Sequence, residues 1–457
     1  MNKYINNLFK EQKKFFNTDK TKLLSFRILK LKRFLNEIEK QYENIREALK
    51  TDLNKGECEI FISEYLLVVN EIKHAIKHIR QWAKPKKARS NLMNILSSAK
   101  IIKEPLGTIL IFAPWNYPLQ LSLVPLVDAV AAGNTAILYL SPYVPTINKV
   151  IKEIINNVFD VGHVQVVQVE EVKYTEIMEP QYDFIFFTGS VHVGKIIMQQ
   201  AAKSLTPVCL ELGGKCPCFV AKTANLKVAA QRIARGKWMN SGQTCVAPDY
   251  LLINKNVKDE FLKLLQLYIT KFYGTNTLTE LNLPRIINEK HFDRLTKYLE
   301  NRKPYCGGKF DRQNLQIEPT VLEINNFGDP LMQDEIFGPI LPYIVCDDFA
   351  DIINDMRLLP KPLALYIFSK DKKCIANLLA TVQSGDVCIN DTIMHTTNHN
   401  LPFGGVGSSG MGAYHGVYGF NLFSHTKSVV ETTTKINPEI FYPPWTDKKT
   451  KFIKKIL

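Results

Sequence analysis

A thiol, a carboxylate and an amide stand at positions in this chain where they could carry covalent chemistry. The thiol is Cys245, in Ser241-Gly-Gln-Thr-Cys-Val-Ala-Pro-Asp249, just past a helix that the pattern ends near Asn240. A free cysteine is most often a small buried hydrophobe, whereas a thiolate among small polar residues is a nucleophile. The carboxylate is Glu211, in Glu211-Leu-Gly-Gly-Lys215, read as the end of a short strand over 208–210. A carboxylate on a loop there suits a general base, and a surface glutamate is the plainer alternative. The amide is Asn116, in the uncharged Pro114-Trp-Asn-Tyr-Pro118 at the carboxyl end of a core strand. Such an amide can donate to a developing oxyanion, or simply bond its own turn.

A fourth segment, Phe186-Phe-Thr-Gly-Ser-Val-His-Val-Gly-Lys195, reads as strand, turn and helix start, with Gly189 and Gly194 flanking the start. Free N–H groups at a helix start make an anion site. The segment lacks both the three-glycine dinucleotide fingerprint and the phosphate-loop Gly-Lys-Ser/Thr, so an ordinary connection accounts for it equally well. No metal site is expected. Cys216 and Cys218 are two thiols in one strand, and His395 and His399 fall in a loop-like Thr/Asn-rich stretch; neither makes a four-ligand set.

The elements that must position these groups alternate. Strands are expected over 107–112, 135–140, 163–169 and 183–187, with helices over 119–132, 146–158 and 191–204 between and after them. Alternation of this kind implies a parallel sheet covered by helices on both faces, with ligands at the carboxyl ends of its strands. A second set begins near Pro207, with helices over 226–238 and 258–273 and strands over 364–368 and 386–390. Upstream, Leu24, Ile28, Leu31, Leu35, Ile38, Tyr42, Ile45 and Leu49 step by four and three, which predicts one helix over 21–50 packed on the core. Another helix is expected over 64–82, followed by a basic loop or arm.

Taken together these segments resemble the aldehyde dehydrogenase superfamily, and its class 3, fatty-aldehyde branch most closely. The resemblance covers essentially the whole chain in order, and rests on Pro114-Trp-Asn-Tyr-Pro, Phe187-Thr-Gly-Ser, Leu210-Glu-Leu-Gly-Gly-Lys, Asn240-Ser-Gly-Gln-Thr-Cys-Val-Ala-Pro-Asp-Tyr, Asp334-Glu-Ile-Phe-Gly-Pro-Ile, Lys361-Pro-Leu-Ala-Leu-Tyr and Pro402-Phe-Gly-Gly-Val-Gly-Ser-Ser-Gly-Met-Gly-Ala-Tyr-His-Gly. It implies an α/β fold of two Rossmann-like parallel-sheet lobes with an oligomerisation arm. Residues 1–80 and 104–209 would bind a nicotinamide cofactor, 210–390 would form the catalytic lobe, 81–103 and 391–435 would bridge two copies in a homodimer, and 436–457 would be a tail.

It also implies roles. Cys245 would attack an aldehyde, and Asn116 with the Cys245 backbone N–H would hold the oxyanion. Glu211 would activate water to release a carboxylic acid. NAD or NADP would lie against Gly189, Ser190, Val193, Gly194 and Trp115, with Glu335 on the nicotinamide ribose and Phe337 beside the ring. Tyr117, Phe403, Tyr414 and His415 would line the substrate channel, favouring medium- or long-chain aliphatic or aromatic aldehydes. The base at Glu211 argues against acyl transfer to coenzyme A.

The chain departs from the family on the adenosine side. Where the family has Lys-Pro-Ser-Glu after a strand, this sequence reads Tyr139-Leu-Ser-Pro142, so Tyr139 and Pro142 replace the lysine and glutamate that contact the adenosine ribose. A pair of glycines is also missing after Val164-Gln-Val-Val-Gln-Val. Two outcomes follow: an active enzyme that binds NAD weakly or accepts NADP, or a non-catalytic binding or structural protein on the same fold. The intact Cys245, Glu211, Asn116 and Glu335 favour the first.

Composition sets the outer bounds. The chain has 457 residues, 46% hydrophobic and 22% charged, which excludes wholesale disorder and repeat fibres. Nine cysteines make an odd and sparse set, so reduced thiols and a cytoplasmic location are expected. The polar, Lys-rich stretch from Met1 to Phe16 has no signal-peptide core, and residues 105–148 carry one charge, Asp128, but are broken by prolines as a membrane helix would not be. A net charge of +14 permits nucleic acid as a partner, yet no aromatic-basic reading surface supports one. In the tail, Phe452, Ile453, Ile456 and Leu457 alternate with lysines. The tail could make weak peripheral contact with an anionic membrane, though a solvated terminus is the simpler reading.

Overall fold

The computed structural model describes residues 2–278 and 283–456; Met1 and Leu457, the ends of two segments read above, lie outside them. The first sheet has the spatial order Gly410–Met411, Val208–Leu212, Phe184–Gly189, Thr108–Phe112, Thr135–Leu140, Val164–Gln168. Every pairing in it is parallel except the first, where Gly410 lies opposite Glu211 in antiparallel register. Thr108–Phe112 and Thr135–Leu140 are buried along their whole length, as expected of strands covered on both faces. From Thr108–Phe112 the chain first builds outward to one side and then returns to the other. A crevice therefore opens between Thr108–Phe112 and Phe184–Gly189, at their carboxyl ends. Asn116 and the Gly189 turn follow directly from these two strands.

The helix that leaves the Asn116 segment, Pro118–Ala132, is apolar all round and almost wholly buried. Proline opens it, where a missing N–H costs nothing, and Gly133 ends it at φ 95°. Its Asp128 is fully buried with neither carboxylate oxygen partnered, and loss of water followed by the neighbouring Glu71 pushes it well above the usual carboxylate range.

The second sheet runs Thr320–Glu323, Ile340–Cys346, Tyr250–Asn254, Pro217–Val220, Ala364–Phe368, Asp386–Ile389, all parallel. The chain is therefore α/β with two Rossmann-like parallel sheets. A third, antiparallel sheet joins Lys86–Ala88, Ser97–Pro105 and Ser424–Thr432. Its central ladder pairs Ser424 with Pro105 and continues to Thr432 with Ser97, and the basic run after Ala83, read as a loop or arm, contributes the short edge strand Lys86–Ala88.

Two further expectations change. The helix expected over 21–50 is two helices, Leu24–Lys40 and Tyr42–Leu53, broken at Gln41. The Gln41 side chain is buried and donates to Glu37 Oε1 (3.1 Å) and Glu153 Oε1 (3.2 Å). The apolar stripe crosses this break without changing its step, so periodicity could not reveal it. The helix expected over 64–82 starts earlier, with Glu57–Ile60 and a π-helical turn at Phe61–Tyr65 before Leu66–Trp82. The π turn directs Ser63 and Glu64 inward; such bulges are frequent at functional sites. In the tail, Asp447–Ile456 is helical, and Phe441, Tyr442, Trp445 and Phe452 are exposed. No described helix is long and apolar enough to cross a membrane.

Candidate active site

The loop carrying Cys245 begins where Leu226–Trp238 ends. Trp238 is pinned there by its indole N–H, which donates to the Pro339 carbonyl (2.8 Å). Asn240, Ser241 and Gly242 then take successive positive φ values of 50°, 51° and 72°. Two adjacent non-glycine residues in this region are held only when their surroundings over-determine them. Glu59 Oε1 accepts from the Asn240 N–H (2.8 Å). The Ser241 hydroxyl donates to the Pro284 carbonyl (2.5 Å). The Gln243 amide donates to the carbonyls of Asn240 (3.1 Å) and Arg285 (2.9 Å) and accepts from the Ile287 N–H (3.0 Å). At Gly242 a Cβ would strike the Gly338 carbonyl, so only glycine completes the turn.

Cys245 emerges half-buried from this loop. Its thiol is pushed up to about 12, first by loss of water, then by the charges of Glu335 and Glu211. The backbone N–H groups of Cys245 and Val246 pull the other way. Donors that favour a thiolate there would also favour an oxyanion. With the thiol mostly protonated near neutrality, alkylation of Cys245 by iodoacetamide is expected to accelerate by up to about tenfold per pH unit. Peptide mass spectrometry across that range checks this, and a flat profile would mean that the resting form is already the thiolate.

Asn116 is buried, and its amide donates to the Gln243 carbonyl (3.0 Å), two residues before the thiol. The neighbouring Tyr117 hydroxyl bonds the Thr244 hydroxyl (2.6 Å). The segment after the first-sheet strand is thus stitched to the Cys245 loop of the second lobe at two adjacent positions.

Glu211 differs from its expected setting. It lies within Val208–Leu212, not beyond the strand, and is 3% exposed, so it is neither a surface nor a loop residue. Its Oε2 has no hydrogen-bond partner, and Oε1 is 4.0 Å from the Cys209 sulfur. Burial, then the charge of Asp386, pushes it well above the ordinary carboxylate range. Asp386, at the start of Asp386–Ile389, is itself pushed up to about 6 by burial. Glu335 lies over Gly213, where a Cβ would collide with its carboxylate. Loss of water and the charge of Asp249 push it up to about 8, while the Gly214 N–H opposes them. Lys215 holds this region by donating to Asp249 Oδ2 (2.5 Å) and to the carbonyls of Leu331 (2.7 Å) and Asp334 (3.0 Å).

The cofactor candidates divide between a chemical and an adenosine half. Ser190 caps Val191–Ala202, its hydroxyl accepting from the Val193 N–H (3.3 Å). The amides of Val191 and His192 precede the first intrahelical bond and have no helical acceptor. Gly194 has no side chain because a Cβ would press the Leu212 side chain, and one at Gly189 would press the Phe187 ring. At the strand end the Thr188 hydroxyl is buried and unpartnered. Trp115 meets Phe337 edge-on at 5.5 Å. A capped helix start, an orphan hydroxyl and Glu335 fit the pyrophosphate and nicotinamide side of a dinucleotide. On the other half, the Tyr139 hydroxyl donates to the Val172 carbonyl (2.9 Å), and Pro142 is exposed with no polar side-chain atom.

Of the channel candidates, Phe403 and Tyr414 pair through their backbones, and His415 stacks on Phe403 at 5.5 Å. Tyr117 stands in a different group, with Lys55 Nζ 4.0 Å over its ring. All four are buried. Four acidic or basic residues around the site escaped the sequence reading: Lys55, Glu59, Glu64 and Asp386. They carry no motif, and only tertiary burial distinguishes them from surface charges. His399, considered above for metal, instead bonds Glu71 through Nδ1, and the described residues hold no group of three potential metal ligands.

The model of the aldehyde dehydrogenase family matches residues 3–429. The 4,4'-diaponeurosporen-aldehyde dehydrogenase of Staphylococcus aureus is 42% identical over 454 residues, covering 98% of each chain. Aldehyde dehydrogenase family 3 member B1 of Rattus norvegicus is 42% identical over 441 residues, 96% of this chain and 94% of the relative. Among solved structures, one titled as the substrate bound state of Staphylococcus aureus AldH superposes with a TM-score of 0.95 at 42% identity, covering 99% of both chains.

Proposed function

This chain belongs to the aldehyde dehydrogenase family, whose members use NAD(P)+ to oxidise aldehydes to acids, and we propose that it does so through Cys245, Asn116 and Glu211. The observation that carries this reading is the meeting of the two loops: the Asn116 amide and the Cys245 segment share the Gln243 carbonyl, and Glu211 acts on the thiol's charge from a buried strand.

In this mechanism the Cys245 sulfur adds to the aldehyde carbonyl once its proton has left. The carbonyl oxygen becomes an oxyanion, held by the second N–H of the Asn116 amide and by the Cys245 backbone N–H. When bound, the nicotinamide cofactor supplies the acceptor for the aldehyde hydrogen. Trp115, Phe337 and Glu335 would hold its nicotinamide end, and the Val191–Ala202 helix start its phosphates. Cys245 then carries the acyl group as a thioester. Glu211, once ionised, takes a proton from water as the water adds to the thioester carbonyl, and Cys245 leaves as thiolate.

The substrate class is proposed to be long, apolar aldehydes. The walls on offer are Tyr117, Phe403 and Tyr414, all buried, and the staphylococcal relative is named for 4,4'-diaponeurosporen-aldehyde. On the cofactor, Tyr139 and Pro142 offer no carboxylate either to grip a ribose or to repel a 2'-phosphate, while Glu170 and Glu176 act on Tyr139 from nearby. The two cofactors are therefore expected to be used with KM values within about tenfold of each other, the order of one screened surface charge contact. Nicotinamide reduction with a long-chain and a short-chain aldehyde, run with NAD+ and with NADP+, tests this. If folded protein binds neither cofactor in a fluorescence titration, the enzymatic reading falls.

A further inference from the structure

We propose that Lys55 and Glu64, joined as a buried ion pair, are positioning residues that fix the oxyanion-binding Asn116 against the nucleophile loop. This rests on the reading of Asn116 given above.

Both side chains are 0% exposed, and Lys55 Nζ lies 2.6 Å from Glu64 Oε1. A second Lys55 bond goes to the Asn116 carbonyl (2.8 Å). The ammonium also sits over the Tyr117 ring, whose hydroxyl bonds Thr244, the residue before the thiol. Glu64 Oε2 accepts from the N–H groups of Leu119 and Gln120 (3.1 Å each), the start of Pro118–Ala132. The pair therefore grips the Asn116–Gln120 segment at three backbone points. The Asn240 amide closes the frame from the other lobe by donating to the same Asn116 carbonyl (2.9 Å).

Burying an ion pair is weak evidence for a stability role, because apolar residues of similar volume usually fill such space at no loss. Here the charges reach the backbone on either side of one amide. Glu64 is turned inward by the π-helical turn at Phe61–Tyr65, an irregularity that an ordinary core helix does not need. Glu59, from the same run, bonds the Asn240 N–H in the nucleophile loop (2.8 Å). One N-terminal element thus braces both halves of the oxyanion site without entering it.

The test is a double-mutant cycle on the full-length protein. Lys55→Met with Glu64→Gln removes both charges while leaving an acceptor for the helix start. Single-turnover nicotinamide reduction should slow by about 10²-fold, the cost of a small misplacement of a reacting group. The melting temperature and the KM for cofactor should hold. In an Asn116→Ala background the same two changes should cost almost nothing further, because the residue they position is gone. A full, additive loss on Asn116→Ala, or an unchanged rate in the paired variant alone, would overturn the proposal. An Asn116→Ala variant as fast as the parent would instead remove the oxyanion reading on which it stands.

Discussion

Replacing Cys245 with alanine is expected to abolish aldehyde-dependent nicotinamide reduction, by about 10⁴-fold or more, the scale on which covalent nucleophiles are lost. Among the described residues, the thiols of the strands around the site are sealed from solvent. Cys216 and Cys218 are fully buried in or beside the second sheet, and Cys209 faces the core beneath Glu211. The Cys245 side chain is small and not part of the fully buried core, so the variant should keep its melting temperature and still bind cofactor. That separation matters: activity lost together with the fold would not identify a nucleophile. Turnover within tenfold of the parent, from folded protein, would remove Cys245 from the mechanism and with it the thioester.

Glu211→Gln should produce a different failure. In the proposed mechanism, acyl transfer to Cys245 does not need the carboxylate as base toward water, whereas release of the acid does. The variant is therefore expected to give a burst of about one reduced nicotinamide per Cys245 and then slow by about 10²- to 10⁴-fold, the usual contribution of a general base. Rapid mixing with absorbance detection measures both phases, and intact mass would show the trapped acyl group. The sign of the pH dependence follows from the buried setting. Loss of water and Asp386 push Glu211 above the ordinary carboxylate range, so at rest it tends toward the neutral acid, which cannot accept a proton. Acid release in the parent should then rise with pH through a limb displaced above about 4.3, the value of an unperturbed glutamate. That limb should vanish in the variant. A variant with no burst, or with unimpaired steady turnover, would reassign the base.

Much of this site was legible in the sequence because its chemistry sits in contiguous segments. Cys245 with its flanking Gly-Gln-Thr, Glu211 before two glycines, and Asn116 between two prolines are each defined by near neighbours. The strands of the first sheet were equally plain, since doubly covered strands are unbroken apolar runs. The parts that escaped depend on distant partners. Lys55 and Glu64 look like surface charges until Pro118–Ala132 packs over them, and Asp386 acquires meaning only when the second sheet brings it beside Glu211. Glu211 itself was placed beyond the strand, whereas pairing of Thr188 with Glu211 and of Gly189 with Leu212 carries the strand past it, and Gly410 covers it from the far end of the chain. The break at Gln41 was hidden for a related reason: the Gln41 side chain there reaches Glu153, from another helix.

That same pairing has a consequence during synthesis. Among the described residues, the strand bearing Glu211 is closed on its outer side by Gly410–Met411 alone. About 200 residues lie between them, so on a ribosome adding about 5 to 20 residues per second, the Glu211 strand is an open sheet edge for some 10 to 40 s. An unpaired edge of this kind is a template for strands of other chains. The nascent first sheet is thus vulnerable in the strand that carries Glu211, and it depends on whatever shields emerging chains until Gly410–Met411 arrives.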